Sequence, residues 1–179
     1  MLNRKLAISA ALAMVAGLGI ASSSWAGQAT SDITVSTNVI QKCTISAPAT
    51  FIFTDYDPFS GSADTQTGTI NVTCSRGSTG VNVGITLGSN PGAASTYGAR
   101  AMKNGTSNYL GYDIFQPSAA GSGGTCGGTT SWDTTATVLG SGTFGVSAPL
   151  AFNMCGSIAP GQDVVQGAYS DIVQAQVNF

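Results

Sequence analysis

SDITVSTNVIQKCTI, residues 31 to 45, decides how this chain is read. Ile33, Val35, Thr37, Val39, Gln41, Cys43 and Ile45 fall on one parity, and Asp32, Thr34, Ser36, Asn38, Ile40, Lys42 and Thr44 on the other. Period-two alternation marks a half-buried β-strand. An ordinary strand is about five or six residues long, and this pattern runs for more than twice that. Most of it lies ahead of the first cysteine, Cys43. Two arrangements account for the length. Either one strand bends across both sheets of its own domain, or the front of the strand is added to a second molecule, with backbone bonds giving affinity and alternate side chains filling pockets.

Upstream, Arg4 and Lys5 precede an uncharged apolar run from Leu6 to Ile20, and Ser24-Trp25-Ala26 carries small residues where a cleavage site needs them. The run is shorter than the about 20 residues of a spanning helix. Residues 1–26 are therefore expected to be a signal peptide, with the mature chain starting near Gly27. Removing 26 of the 179 residues leaves 153, the size of one domain. Its cations are then Lys42, Arg76, Arg100 and Lys103, and its acids are eight aspartates without a glutamate, so the net charge moves from −2 to −4. Four scattered cations cannot track a phosphate backbone, which excludes nucleic acid as an expected partner. Gly, Ser, Thr, Asn and Val stand where helices would carry Glu, Lys, Arg, Leu and Ala. That vocabulary belongs to strands and tight turns, so the fold is expected to be all-β.

Downstream, Phe51 and Phe53 share a parity in FIFTDYDPFSG (51–61), ahead of turn signals at Asp57-Pro58 and Ser60-Gly61. Alternation returns in TGTINVTC (67–74), with Ile70, Val72 and Cys74 on one face, and in GVNVGITLG (80–88), with Val81, Val83, Ile85 and Leu87 together. ARAMKNG (99–105) reads as a short strand ending in an Asn-Gly turn, and NYLGYDIF (108–115) resumes with Leu110, Tyr112 and Ile114 on one side. A stretch rich in Gly and Ser around Gly121 to Gly128 is expected to form a flexible loop pinned at Cys126. TTATVLGSG (134–142), TFGVSAPLAFNMCGSIAP (143–160) and SDIVQAQVNF (170–179) complete the strands. Spacings of this kind suggest a sandwich of immunoglobulin-like type.

Residues for chemistry do not assemble. Without histidine there is no Ser-His or Cys-His pair. Asp55 and Asp57 start an Asp-x-Asp, but no Asp-x-Asp-x-Asp-Gly follows, so a turn is expected there and not a calcium loop. The glycine-rich run lacks the Gly-Lys-Ser/Thr of a phosphate loop. Asn71-Val72-Thr73 and Asn104-Gly105-Thr106 match glycosylation triplets, which an Asn/Thr-rich chain produces by chance. Catalytic, cofactor and metal sites are all expected to be absent. Cys43, Cys74, Cys126 and Cys155, an even count in an exported chain, read as two disulfides with three pairings open. Zinc is the rival, without histidine or a Cys-x-x-Cys to hold it.

FTDYDPFSG (53–61), TGTINVTC (67–74), RAMKNG (100–105), YLGYDIF (109–115) and, above all, the stretch from Gly156 to Phe179 resemble the spore coat protein U domain family. That family includes the pilins of archaic chaperone–usher (Csu-type) fimbriae. The closing pattern is long: Gly156-x-Ile158-x-Pro160-x-Gln162, then Gly167-x-Tyr169-x-Asp171 and a terminal Val177-x-Phe179. Ile33-x-Val35-x-Thr37-x-Val39, followed by Cys43-Thr44-Ile45, looks like the family's donor strand running into its first domain strand. The resemblance implies an incomplete immunoglobulin-like sandwich completed by donor-strand complementation. Residues 1–26 would be the signal peptide, 27–37 the donor extension and 38–179 the pilin domain. Ile33, Val35, Thr37 and Val39 would plug a groove bordered by Val173, Ala175, Val177 and Phe179 of the C-terminal strand. Cys43 and Cys74 fall where the family's common disulfide lies, which favours the sequential pairing and leaves Cys126 with Cys155. The chain departs twice from the pattern: Thr37 is a weaker plug than the usual larger apolar residue, and the second cysteine pair is not universal.

The partners so implied are neighbouring pilin subunits, a periplasmic chaperone that lends the missing strand and an outer-membrane usher that exchanges it. The protein would pass through the periplasm to the cell surface and serve attachment and biofilm formation. A secreted coat or matrix protein of the same fold is the alternative, and a secreted enzyme built on an aspartate pair is one of another class.

Overall fold

The computed structural model of the protein describes residues 27–105, 107–118, 126–135, 138–139 and 143–179, with 138–139 described by backbone alone. The expected signal peptide, most of the glycine-rich loop and parts of TTATVLGSG lie outside the described residues. The chain divides into two units, Met1–Thr37 and Asn38–Phe179. In the first unit, residues 27 to 37 hold neither strand nor helix, and their side chains are exposed, Ile33 by 86% and Val35 by 90%.

In the second unit, β1 (Cys43–Ser46), β2 (Asp64–Cys74), β7 (Leu150–Ile158), β5 (Asn108–Phe115) and β4 (Arg100–Asn104) form one sheet in that order. The other sheet has the order β6 (Val138–Leu139), β3 (Asn82–Ile85), β8 (Ala175–Asn178). Every pairing is antiparallel. The described residues are all-β, arranged as the two sheets of an immunoglobulin-like sandwich. The long alternation of 31–45 becomes a strand only from Cys43, where Cys43 pairs Cys74 and Ser46 pairs Asn71. A strand exists only where its backbone groups find a ladder. Ile40, Gln41 and Lys42 still bond to Ser75 and Thr79, whereas for residues 31 to 39 the pattern supplies an apolar parity without supplying a neighbour.

In β2, β3 and β5 the apolar parities fall inward as read. Ile70 and Val72 of β2, Ile85 of β3, Leu110 and Ile114 of β5, and Phe152 of β7 are buried together. The Asn104-Gly105 turn joins β4 to β5, with Gly105 at φ 65. The structure links Cys43 to Cys74 and Cys126 to Cys155. The first disulfide joins the facing ends of β1 and β2. The second ties the segment carrying the fully buried Trp132 to β7, and the Trp132 indole N–H donates to the Val83 carbonyl at 2.7 Å.

Arg100 sits on the inner face of β4 with no exposed surface. Its Nη1 donates to Asp113 Oδ1 at 2.7 Å, its Nε to the Thr86 carbonyl at 3.1 Å and its Nη2 to the carbonyls of Ile85 and Trp132. The same Asp113 oxygen accepts from Ser131 and from the Ile114 amide. One guanidinium thus fastens an edge of the larger sheet to β3 of the smaller. Removing one partner of such a pair strands the other charge in low dielectric, at about 3–5 kcal/mol. Arg100→Leu is expected to lower stability by that amount, read as a fall in the urea midpoint. A variant as stable as the parent would show the pair to be dispensable.

Candidate functional site

The core of the second unit is open along a groove of about 790 Å³. Residues 47–56 line one wall and residues 164–173, with Ala175, the other. Ile85, Leu110, Tyr112, Ile114, Met154 and Ile158 provide its floor, all of them buried core residues.

The first wall forms because β1 stops at Ser46 and the chain then lifts from β2. Along residues 47–56 no strand is assigned, and a side-chain bond from Gln66 Nε2 to the Ile52 carbonyl, 2.7 Å, holds the segment to β2. Phe51 and Phe53 nevertheless alternate inward while Ile52 between them is exposed. Their rings meet edge to face at 5.4 Å, and Phe53 meets Tyr112 at 6.0 Å. Both rings lie over Gly156, where a Cβ would stand 2.4 Å from Phe51 and 2.7 Å from Phe53. Glycine at this point of β7 lets the aromatic wall close onto the sheet.

The second wall is braced by the polar residues of the closing pattern. Gln162 is buried; its side chain accepts from the Gly111 N–H and donates to the Gly111 carbonyl, both at 2.8 Å, standing in for a strand neighbour of β5. Its own N–H donates to Tyr56 Oη at 2.8 Å, which links the two walls at this end. Tyr169 Oη donates to the Val165 carbonyl at 2.7 Å. Ser170 exchanges backbone bonds with Lys103 of β4, and the Thr86 N–H donates to the Gln174 carbonyl at 2.9 Å. Asp171 accepts from the amides of Ser89 and Ile172 through Oδ1, and from Tyr112 Oη through Oδ2, each at 2.8 Å. A Cβ at Gly88, whose φ is 84, would stand 2.0 Å from that carboxylate, so only glycine allows the approach.

Ser170 bonds to β4 and the Gln174 carbonyl to Thr86 beside β3, while β8 is the edge of its sheet, so the backbone groups on its other side are left without a ladder among the described residues. The site therefore offers an apolar floor with backbone donors and acceptors along one wall. Those are the requirements of an extended peptide, not of a reaction. Asp55 and Asp171 are the charged residues of the lining among the described residues. Burial pushes the Tyr112 phenol well above the usual range, with the bond to Asp171 and its charge adding to the effect, so the hydroxyl keeps its proton.

Of the C-terminal residues expected at the groove, Val173 and Ala175 line it. Val177 pairs with Val83 and packs against the core beyond the lining, while Phe179 is exposed and does not line it. Ile33, Val35 and Thr37 belong to the first unit, and Val39, at the start of the second, is 87% exposed. Asp57 accepts from the Phe59 amide and its carbonyl accepts from the Ser60 N–H, so that aspartate is occupied in a turn. Sequence reasoning missed the wall of residues 47–56 and the Tyr112–Asp171 pair. The shared parity of Phe51 and Phe53 was the available signal for the wall.

A family model described as the Spore Coat Protein U domain matches residues 29–176. Among solved structures, one similar chain comes from the complex of chaperone and tip adhesion subunit, CsuC–CsuE, of the archaic chaperone–usher Csu pili of Acinetobacter baumannii. The two share 19% identity with a TM-score of 0.44, over 79% of this chain and 40% of that one, so the match spans well under half of that chain's length. No curated protein matches the chain.

Proposed function

This chain belongs to the Spore Coat Protein U domain family, a structural and not an enzymatic one, and on that premise we propose that it is a pilin subunit of a chaperone–usher fimbria. Each subunit takes into its groove the N-terminal segment of the next, so that copies polymerise by donor-strand exchange into a surface fibre for attachment and biofilm formation. A periplasmic chaperone fills the groove first, and an outer-membrane usher replaces it. The observation that carries the reading is the pairing of an open groove with an exposed alternating segment in the same chain. Ile33, Val35 and Val39 are spaced along about 20 Å of extended strand, and all three are exposed.

Energetics explain why a chaperone is needed. Burying Ile33, Val35 and Val39 stabilises by about 1.5–3 kcal/mol each, and each backbone bond along the walls adds about 0.5–1.5 kcal/mol. Even as upper estimates, these terms rival the about 5–15 kcal/mol of a whole domain. The test is expression with and without the chaperone and usher. With both, detergent-resistant multimers accumulate; without the chaperone, the subunit is degraded or aggregates. A monomer that persists at high concentration with neither present overturns the proposal.

A further inference from the structure

We infer that Tyr112 and Asp171 set the register of the incoming strand by receiving the hydroxyl of Thr37 from a second copy, an inference that rests on the strand-donation reading above. Thr37 is the one polar residue on the plugging parity Ile33, Val35, Thr37, Val39. The floor of the groove, in turn, is apolar except for the Tyr112 hydroxyl. That hydroxyl has its single proton committed to Asp171 Oδ2 at 2.8 Å, and Asp171 Oδ1 is occupied by the amides of Ser89 and Ile172. What the phenol still offers is an acceptor lone pair. An occupant without a donor sets that lone pair against an apolar side chain and gains no bond from it. A matching group must therefore be a donor, short, and carried on a strand that is otherwise apolar. Threonine meets all three conditions, because its hydroxyl donates while its methyl packs like that of valine. The weak plug thus becomes the specific one.

The pairing also gives the strand a direction. With Thr37 opposite Asp171, an antiparallel strand places Val35 opposite Val173 and Ile33 opposite Ala175, apolar on apolar, and Val39 opposite the half-buried Tyr169. The parallel direction would set Ile33 opposite Gly167, which has no side chain to meet it. Because a slip of one residue turns every side chain to the wrong face, a single polar match in the middle of the groove suffices to choose among shifts of two.

The experiment uses the full chain expressed with its chaperone and usher, and measures how fast detergent-resistant polymers dissociate on heating. Thr37→Val and Tyr112→Phe are each expected to speed dissociation about two- to tenfold, the worth of one hydrogen bond. The double variant is expected to be no faster than the faster single one. Singles whose effects multiply overturn the pairing and leave strand donation standing. Because Tyr112→Phe touches the core, a second measurement does not depend on it: Val35→Cys with Val173→Cys should give a disulfide between neighbouring subunits. Cross-linking of Thr37→Cys with Val173→Cys in its place overturns the register. If the unaltered chain forms no polymers at all, strand donation fails, and the register inference falls with it.

Discussion

Ile33→Asp combined with Val35→Asp is expected to abolish detergent-resistant polymers while leaving the amount of chaperone-bound subunit unchanged. Both side chains are exposed in the subunit, by 86% and 90%, so aspartate removes no packing from the fold. In the groove of a neighbour the balance reverses. Each substitution forfeits about 1.5–3 kcal/mol of apolar burial and brings a carboxylate against a floor of Ile85, Ile114 and Met154, where an unpaired charge is costly. Asp171 on the wall adds like-charge repulsion. The combined loss of at least about 3–6 kcal/mol shifts the exchange equilibrium by about a hundredfold to ten-thousandfold. Ser36→Asp with Asn38→Asp is the control, because both lie on the opposite parity and should polymerise as before. Gel analysis without prior heating reads all three chains together. Polymers from the Ile33/Val35 variant as stable as those of the parent would rule out this segment as the donor.

Reduction of both disulfides is expected to unfold the subunit under mild conditions. Cys43–Cys74 spans a sequence separation of 31 and Cys126–Cys155 one of 29. On the loop-entropy model each is worth about 3.5 kcal/mol, or about 7 kcal/mol together, against a total of about 5–15 kcal/mol for a domain. A sandwich with an open groove sits low in that range. Replacing either pair by serine should lower the urea midpoint of the chaperone-bound subunit by about 1–3 M. The two losses should differ in character. Without Cys43–Cys74, β1 loses its tie to β2 and the wall that begins at Ala47 loses its anchor. Without Cys126–Cys155, the segment that buries Trp132 and supplies the Ser131 bond to Asp113 is released from β7. Midpoints that do not move on reduction would show the staples to be redundant.

The elements legible without a structure are those whose pattern is local. β2, the β4–β5 hairpin and the apolar faces of Ile70, Val72, Leu110 and Ile114 follow from period-two alternation and from one Asn-Gly turn, both consequences of backbone geometry over a few residues. The all-β composition and the alternation of residues 33 to 39 are legible for the same reason. Arg100 was not. A charged residue on the core face of β4 is stable only because Ile85, Thr86, Asp113 and Trp132, scattered over the chain, bring acceptors to it. The roles within the closing pattern were likewise hidden, since Gln162 answers to Gly111, and Asp171 answers to Tyr112 and Ser89. The groove is the clearest case. A gap between two walls belongs to no segment and arises where β1 ends at Ser46 and the chain from Val164 onward packs on β3 and β4 instead. Local sequence could show that residues 33 to 39 carry an apolar parity fit for a sheet edge, because alternation is written residue by residue. Where such an edge lies open was decided only by long-range packing, because an edge is defined by the neighbour it lacks.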